Sequence, residues 1–229
     1  MDDKKIALTK EAFIKIRKIE KELSEGKFDN LEYFLKYSGK MALNYALEWA
    51  SFYGKNDLVK KILSEPTDFN ASNGIALTIA CKNGHLNIVK FLLVNGADIN
   101  VANSAPLVEA IENKHSKTVR YLLKYKNSEK ERACDIHSEY ELPLRTAINS
   151  NQYNITKILV DYGANINVLD GYPLIAAIKK DNYDMVKLFL KCGVGKSFLP
   201  QAILTAKELK NDNIIDILQN ELSKKNSIL

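Results

Sequence analysis

The sequence contains few cysteines and lacks a long hydrophobic run. Its cysteines, Cys81, Cys134 and Cys192, are odd in number and widely spaced, which is typical of a reducing compartment rather than of a disulfide-bonded secreted protein. No stretch approaches the roughly 18 consecutive apolar residues that indicate a membrane-spanning helix. The first residues, 1–5, show no apolar signal region. We therefore expect a cytoplasmic protein.

A strong excess of either charge is also absent. The chain has 33 Lys and Arg residues against 28 Asp and Glu residues, which gives a formal net charge of +5. Proteins that bind nucleic acid usually concentrate basic residues on one face, and composition alone does not indicate such a face here. The charge balance therefore gives no reason by itself to expect a nucleic-acid partner.

An alanine recurs along the chain at a nearly constant spacing. The successive intervals are 30, 30, 37, 30 and 29 residues. The alanines concerned are Ala50, Ala80, Ala110, Ala147, Ala177 and Ala206. A fixed period in this range predicts a solenoid of stacked repeats rather than one globular core. It also favours recognition over catalysis as the function.

Other positions recur in phase with the alanine and predict two short amphipathic helices in each repeat. The small alanine would let the first helices of neighbouring repeats approach closely. Four residues after it, a residue that tolerates a left-handed backbone is expected to end the first helix. Gly54, Gly84, Asn151 and Asp181 meet this requirement. Lys114 does not, and predicts local strain or a different turn.

Three strings of this sequence resemble the ankyrin repeat. They are NGHLNIVKFLL at 83–93, NGADIN at 95–100 and YGANIN at 162–167. The resemblance covers roughly residues 40–222 and implies an all-α, ankyrin-type solenoid. The period here is mostly 30 residues, against about 33 in the usual ankyrin repeat. The lost residues fall between repeats, so short fingers are expected. This shorter form resembles the arrays of large DNA viruses and intracellular bacteria.

The resemblance also suggests how the array is divided. We expect a single array over residues 1–229, with an N-terminal cap repeat at 1–38, five internal repeats over 39–197 and a C-terminal cap repeat at 198–229. The 37-residue interval points to an insertion near 126–140, at a junction where the Gly-Ala-Asp-Ile-Asn type of turn is missing. Its charged residues cannot be buried cheaply, so we expect a surface loop or a short extra helix.

The ankyrin resemblance implies a non-enzymatic module that binds a partner protein through its concave groove and fingers. Candidate binding residues lie at the end of the first helix of each repeat. Near residue 50 this face is aromatic where the other repeats are polar, which is typical of a binding hot spot. The alternative is packing against the N-terminal cap helix. The candidates are Trp49, Phe52, Tyr53, Lys82, Asn83, Glu112, Asn113, Asn149, Ser150, Lys179 and Lys180.

Other functions were weighed against this one. A nucleic-acid or nucleotide binder would use the basic helix 114–126 with Lys179 and Lys180. The segment 191–197 ends like a phosphate-binding loop, but Leu190 stands where the loop needs its first glycine. Cys134 and His137 supply too few ligands for a structural zinc site.

We therefore expect no cofactor, no metal and no membrane contact. The protein is expected to be a monomer when alone, and it would act as a viral or bacterial factor on host proteins in the host cytoplasm.

Overall fold

Residues 10–37, 40–64, 70–126 and 134–224 are described by the computed structural model, and they fold into paired α-helices. The inner helix of each repeat is α1 (Lys10–Ser24), α3 (Lys40–Phe52), α5 (Ala71–Lys82), α7 (Val101–Glu112), α9 (Ser138–Asn149), α11 (Val168–Lys179) or α13 (Leu199–Glu208). The outer helix is α2 (Leu31–Tyr37), α4 (Asn56–Leu63), α6 (Leu86–Val94), α8 (Ser116–Lys124), α10 (Tyr153–Asp161), α12 (Tyr183–Lys191) or α14 (Asp212–Ser223). Within these ranges no β-strand occurs apart from an isolated bridge residue, Lys126. The all-α prediction is confirmed.

The helices belong to two compact units, Met1–Val101 and Ala102–Leu229, called here the first and second units. In the first unit α1 packs on α3, α3 on α5, and α4 on α6. In the second unit α9 packs on α11 and α11 on α13, while α8 packs on α10, α10 on α12, and α12 on α14. In each unit, inner helices therefore stack on inner helices and outer helices on outer ones.

The periodic alanines lie in the core, as their spacing predicts. All of them are fully buried: Ala50, Ala80, Ala110, Ala147, Ala177 and Ala206. So are the leucines that precede most of them by three residues: Leu47, Leu77, Leu107, Leu144 and Leu174. A larger side chain at an alanine position would have to displace a neighbouring helix, because protein interiors are close-packed.

The outer helices are amphipathic at the expected spacing. In α8, for example, Val119, Leu122 and Leu123 are buried, whereas Lys117 and Arg120 on the opposite face are exposed. Burial of one apolar stripe is what stabilises a helix as short as this one, because isolated helices of fewer than about 12 residues are marginal in water.

The N-terminal repeat forms a helical pair that packs on α3. Ile19 and Leu23 of α1 and Phe34 of α2 are buried, and Gly26 between the helices has a φ of +79°. The expected cap begins at residue 1, but residues 1–9 lie outside the part of the chain that the structure describes.

The turn between inner and outer helices is the same at Lys114 as at the glycines. Lys114 has a φ of +62°, close to +68° at Gly54 and +69° at Gly84. The two hydrogen bonds that close the turn, Lys114 N to Ile111 O at 2.9 Å and His115 N to Ala110 O at 2.8 Å, are also those found after glycine. The expectation of a different turn was wrong. The strain expectation stands, since a left-handed non-glycine residue costs roughly 1–2 kcal/mol.

Three inner helices begin with a left-handed turn that the sequence did not predict. Three consecutive residues have positive φ at each: Ala102–Ser104, Glu139–Glu141 and Leu169–Gly171. Pro106, Pro143 and Pro173 follow two residues later, so each lies in the first turn of the right-handed helix, where its missing N–H group has no partner to lose. Among these nine residues, Asn103, Asp170 and Gly171 are of types that tolerate such a backbone, and the other six give no sequence signal for it.

The inter-repeat turn that seemed absent after the insertion is present at residues 134–137. Cys134 and Ile136 are buried like Ala164 and Ile166, and like the other turns this one is closed by a side chain: His137 N donates to Asp135 Oδ1 at 2.9 Å. The same bond, also at 2.9 Å, occurs at 98–100 and 165–167. The expectation that this type of turn is absent was therefore wrong, because burial and the acidic or amide side chain define this turn and glycine does not. In the segment expected at the surface, Asp135 and His137 are exposed, whereas Cys134 and Ile136 are buried. Residues 127–133 lie outside the described residues.

Candidate protein-binding surfaces

Three aromatic side chains lie along the inner helix α3 of the first unit. Tyr45, Trp49 and Phe52 have the i, i+4, i+7 spacing that places side chains on one helix face. Tyr45 is 41% exposed and Phe52 is 50% exposed, while Trp49 is half-buried and stacks on Tyr45 with ring centroids 6.1 Å apart. Large apolar groups thus remain in contact with water on this face.

The same face continues onto the next inner helix. Because α3 packs on α5, the half-buried Ile75 and Ile79, which follow Tyr45 and Trp49 by one repeat, extend the apolar surface. These five residues are called the aromatic inner face: Tyr45, Trp49, Phe52, Ile75 and Ile79.

Tyr53, although predicted together with Phe52, contacts the N-terminal repeat. Its hydroxyl donates to Ser24 O at 2.6 Å, and its ring meets that of Phe28 edge-on at 6.1 Å. A Cβ added to Gly26 would lie 3.1 Å from the Tyr53 ring. The alternative of packing against the cap therefore applies to Tyr53, while Phe52 faces solvent.

The backbone at Phe52 is held in place by the following repeat. Its carbonyl accepts hydrogen bonds from Asn83 Nδ2 at 3.3 Å and from His85 Nε2 at 3.1 Å. The His85 ring fits over Gly54, where an added Cβ would lie 2.6 Å from the ring. Asn83 thus has a structural contact, whereas Lys82 beside it is exposed at the end of α5.

The candidate residues of the second unit are exposed and polar. Asn113 Nδ2 donates to Glu109 O at 2.9 Å, and Asn149 Oδ1 accepts from the Tyr172 hydroxyl at 2.7 Å. Ser150 lines a surface depression of about 410 Å³ between the turns that follow α7 and α9. The exposed candidates in this unit are Glu112, Asn113, Asn149, Ser150, Lys179 and Lys180.

Exposed apolar residues in the left-handed turns were missed by sequence reasoning. Tyr140 is 71% exposed. Leu169, which lies in the equivalent turn of the next repeat, is about half exposed. Both residues have positive φ values, 55° at Tyr140 and 49° at Leu169. Tyr140 falls inside the segment interpreted as an insertion, so the repeat pattern did not draw attention to it.

The basic helix and the Lys179–Lys180 pair lie in different structural layers. Lys117, Arg120 and Lys124 are exposed on the outer helix α8, whereas Lys179 ends the inner helix α11. Burial raises the pKa of the α8 residue Tyr121, and the neighbouring Tyr125 raises it further. Tyr121 is therefore neutral near pH 7, and the charge of this helix comes from lysine and arginine.

Among the described residues, no group of three or more His, Cys, Asp or Glu side chains is arranged to hold a metal ion. Cys134 is buried, and His137 Nδ1 forms a 2.5 Å hydrogen bond with Glu141 Oε1. These two side chains are therefore not arranged as a pair of metal ligands. No helix in the described ranges is long and apolar enough to span a bilayer.

Comparison with protein families gives one match. A family model described as ankyrin repeats, in three copies, matches residues 47–134 and again residues 127–199. No curated protein matches the sequence significantly.

Proposed function

Since the chain belongs to the ankyrin-repeat family, we propose that it binds a partner protein through the aromatic inner face of its first unit. Ankyrin repeats are in general protein–protein interaction modules, and specificity resides in the surface side chains rather than in the scaffold. In this proposal the protein has no catalytic role, and Trp49 and Phe52 are the central contacts.

The exposure of Phe52 carries this proposal. The position that Phe52 occupies in its own repeat is taken by a polar residue in each of the next four repeats. These residues are Lys82, Glu112, Asn149 and Lys179. A lysine or asparagine is sufficient for folding there, so the phenylalanine is not required by the scaffold. Aromatic residues dominate binding hot spots because they bury a large apolar area on association.

The surroundings of Phe52 define the chemistry of the partner. Tyr45, Trp49, Ile75 and Ile79 would surround an inserted apolar side chain, and Lys82 lies at the edge. The expected partner therefore presents a large aliphatic or aromatic anchor, with polar or acidic residues beside it. Tyr45 keeps its hydroxyl at the exposed rim, where it can hydrogen-bond to the partner backbone.

A cytoplasmic site of action, in a host cell in particular, belongs to the same proposal. In the described part of the chain, Cys81, Cys134 and Cys192 form no disulfide bond, which suits a reducing compartment. The 30-residue period resembles that of viral and bacterial arrays and supports a host-directed role. The second unit's exposed residues, Lys179 and Lys180 included, would form secondary contacts in this scheme.

The test uses Phe52→Lys, which copies the residue of the next repeat. The partner is captured with the wild-type protein, and its affinity is then measured by calorimetry. Loss of the hot spot should weaken binding by about 2 kcal/mol, or about thirtyfold. Asn149→Lys makes the same change of charge at the equivalent position of the second unit and should alter binding little. Equal affinity for wild type and Phe52→Lys would contradict the proposal.

A further inference from the structure

The outer helices of the second unit place a cation at the same position in three successive repeats. Each of these cations directly follows a fully buried residue. The cations are Arg120 of α8, Lys157 of α10 and Lys187 of α12, and the buried residues before them are Val119, Thr156 and Val186. All three cations are exposed. The last outer helix breaks the series, because Asp216 occupies this position in α14.

The exposed positions on either side are also mainly basic. One turn before and one turn after the shared position, the three helices carry three further lysines and two aspartates: Lys117, Lys124, Lys191, Asp161 and Asp184. The face therefore has six cations and two anions, a net charge of +4, against +5 for the whole chain. Nearly all the excess charge, which looked dispersed in the sequence, is concentrated on one surface.

Few of these cations are neutralised within the protein. Lys157 Nζ lies 3.9 Å from Asp161 Oδ2, a long and exposed pair of little energetic weight. Across the ranges that the structure describes, neither Arg120 nor Lys187 forms an ion pair. Their charges remain available to an external ligand.

The packing of the helices sets the spacing of the row. Since α8 packs on α10 and α10 on α12, and packed helices lie about 8–10 Å apart, Arg120, Lys157 and Lys187 form a row with steps of about 10 Å. The row is about 20 Å long, because α14 continues it with an aspartate.

We propose that this basic outer face, defined as Lys117, Arg120, Lys124, Lys157, Lys187 and Lys191, binds an acidic helical segment of a protein. Carboxylates at i and i+7 of an α-helix are about 10.5 Å apart, which matches the steps of the row. A segment that spans the row needs about 14 residues. This surface lies on the outer helices and is separate from the aromatic inner face.

Asp161 and Asp184 favour a protein ligand over a nucleic acid. Duplex DNA carries a charge about every 1.7 Å of its axis, or about every 3.4 Å along one strand, so a duplex along the row would bring phosphates close to both carboxylates. An acidic helix carries separate charges and can place neutral or basic residues opposite the two aspartates.

The experiment measures binding of a labelled helical peptide of 15 residues by fluorescence anisotropy. Glutamates at positions 1, 8 and 15 supply the proposed spacing in an alanine and glutamine background. Arg120→Gln with Lys187→Gln should weaken binding at least about tenfold at low salt, as loss of two matched charge pairs implies. Raising the salt from about 0.05 to about 0.5 M should also weaken it, since the Debye length then falls well below the spacing of the charges.

Matched variants and ligands keep the result specific. Lys207→Gln with Lys210→Gln removes the same charge from exposed positions at the end of the inner helix α13 and should change the affinity less than about twofold, as distant charges are screened. Phe52→Lys should leave peptide binding unchanged, which separates this proposal from the proposed function.

Three results would overturn the proposal. They are equal affinity for a peptide with glutamine in place of the three glutamates, an equal loss with the inner-helix variant, and tighter binding of a 20-base-pair DNA duplex at the same salt concentration. Thermal unfolding of each variant establishes that it is folded.

Discussion

The inner helices of the first unit present an aromatic surface, whereas those of the second unit carry mostly polar residues at the corresponding positions. Phe52 and Trp49 correspond to Asn149 and Thr146 three repeats later, yet Ala50 and Ala147 between them are buried alike. The core positions are thus the same in both units, and the surface positions differ freely. Under the proposed function, the differences between the repeats mark the surface that binds the partner.

The two units also differ in how they form the same turns. The first unit uses Gly54 and Gly84, while the second uses the left-handed Lys114, Asn151 and Asp181. In both units a side chain at the start of an outer helix reaches the preceding repeat. In the first unit, His85 Nε2 donates to Phe52 O at 3.1 Å. In the second unit, Gln152 Nε2 donates to Ile111 O at 2.8 Å, and Asn182 Nδ2 to Asn151 Oδ1 at 2.6 Å. The units therefore differ in the turn residue itself, because glycine avoids the strain of a left-handed lysine, asparagine or aspartate.

Overpacking an alanine should have the largest effect and should be similar in both units. Ala80→Leu and Ala177→Leu are each expected to lower the free energy of unfolding by about 1–3 kcal/mol, because both sites are fully buried against neighbouring inner helices. Urea unfolding followed by circular dichroism measures the loss. Lys179→Leu adds the same side chain to an exposed site and should cost little. A large loss in only one unit would show that the two cores are not equivalent.

Exchanging the turn residues should have opposite effects in the two units. Gly54→Ala should destabilise by about 1–2 kcal/mol or more, because its φ is +68° and the new Cβ would lie 2.6 Å from the His85 ring. Lys114→Gly removes a strained left-handed residue and should stabilise by up to about 1 kcal/mol. Melting temperatures give the comparison. If Lys114→Gly lowered the melting temperature, contacts of the lysine side chain would outweigh the strain.

The smallest effect should separate Tyr53 from its aromatic neighbours. Tyr53→Phe removes the hydroxyl that donates to Ser24 O at 2.6 Å and should cost about 1 kcal/mol of stability. Tyr45→Phe removes a hydroxyl from the exposed aromatic inner face and should leave stability unchanged. Calorimetric melting of the two variants decides the matter. Equal stability of both would place Tyr53 with the binding residues and not with the cap.

The repeat pattern was readable because steric constraints recur with the period. Wherever inner helices stack, the position of Ala110 has to hold a small residue and the position of Leu107 a large one. The fold class and the helix pairing could therefore be predicted. The left-handed start of α9 could not be predicted, because Glu139, Tyr140 and Glu141 have no intrinsic preference for that backbone.

The proposed binding surface was predictable only in part. The aromatic departure at Phe52 is visible in the aligned repeats, but the partner of Tyr53 lies 29 residues earlier, at Ser24, and no local pattern encodes that contact. Of the basic outer face, only the α8 part was predicted, as the basic helix 114–126, and the remainder was missed for another reason. Arg120, Lys157 and Lys187 are separated by 37 and 30 residues, and their grouping appears only when the outer helices are packed side by side.

The turn at 134–137 has a consequence for how such arrays change in length. Because Asp135 closes the turn within a few residues of its start and Ile136 is anchored in the core, the position of α9 is set locally, whatever the length of chain before it. We therefore expect that additional residues before Cys134 would leave the geometry of the later repeats unchanged. This junction therefore offers a position at which a reporter peptide or a second recognition sequence could be grafted without redesigning the helices on either side.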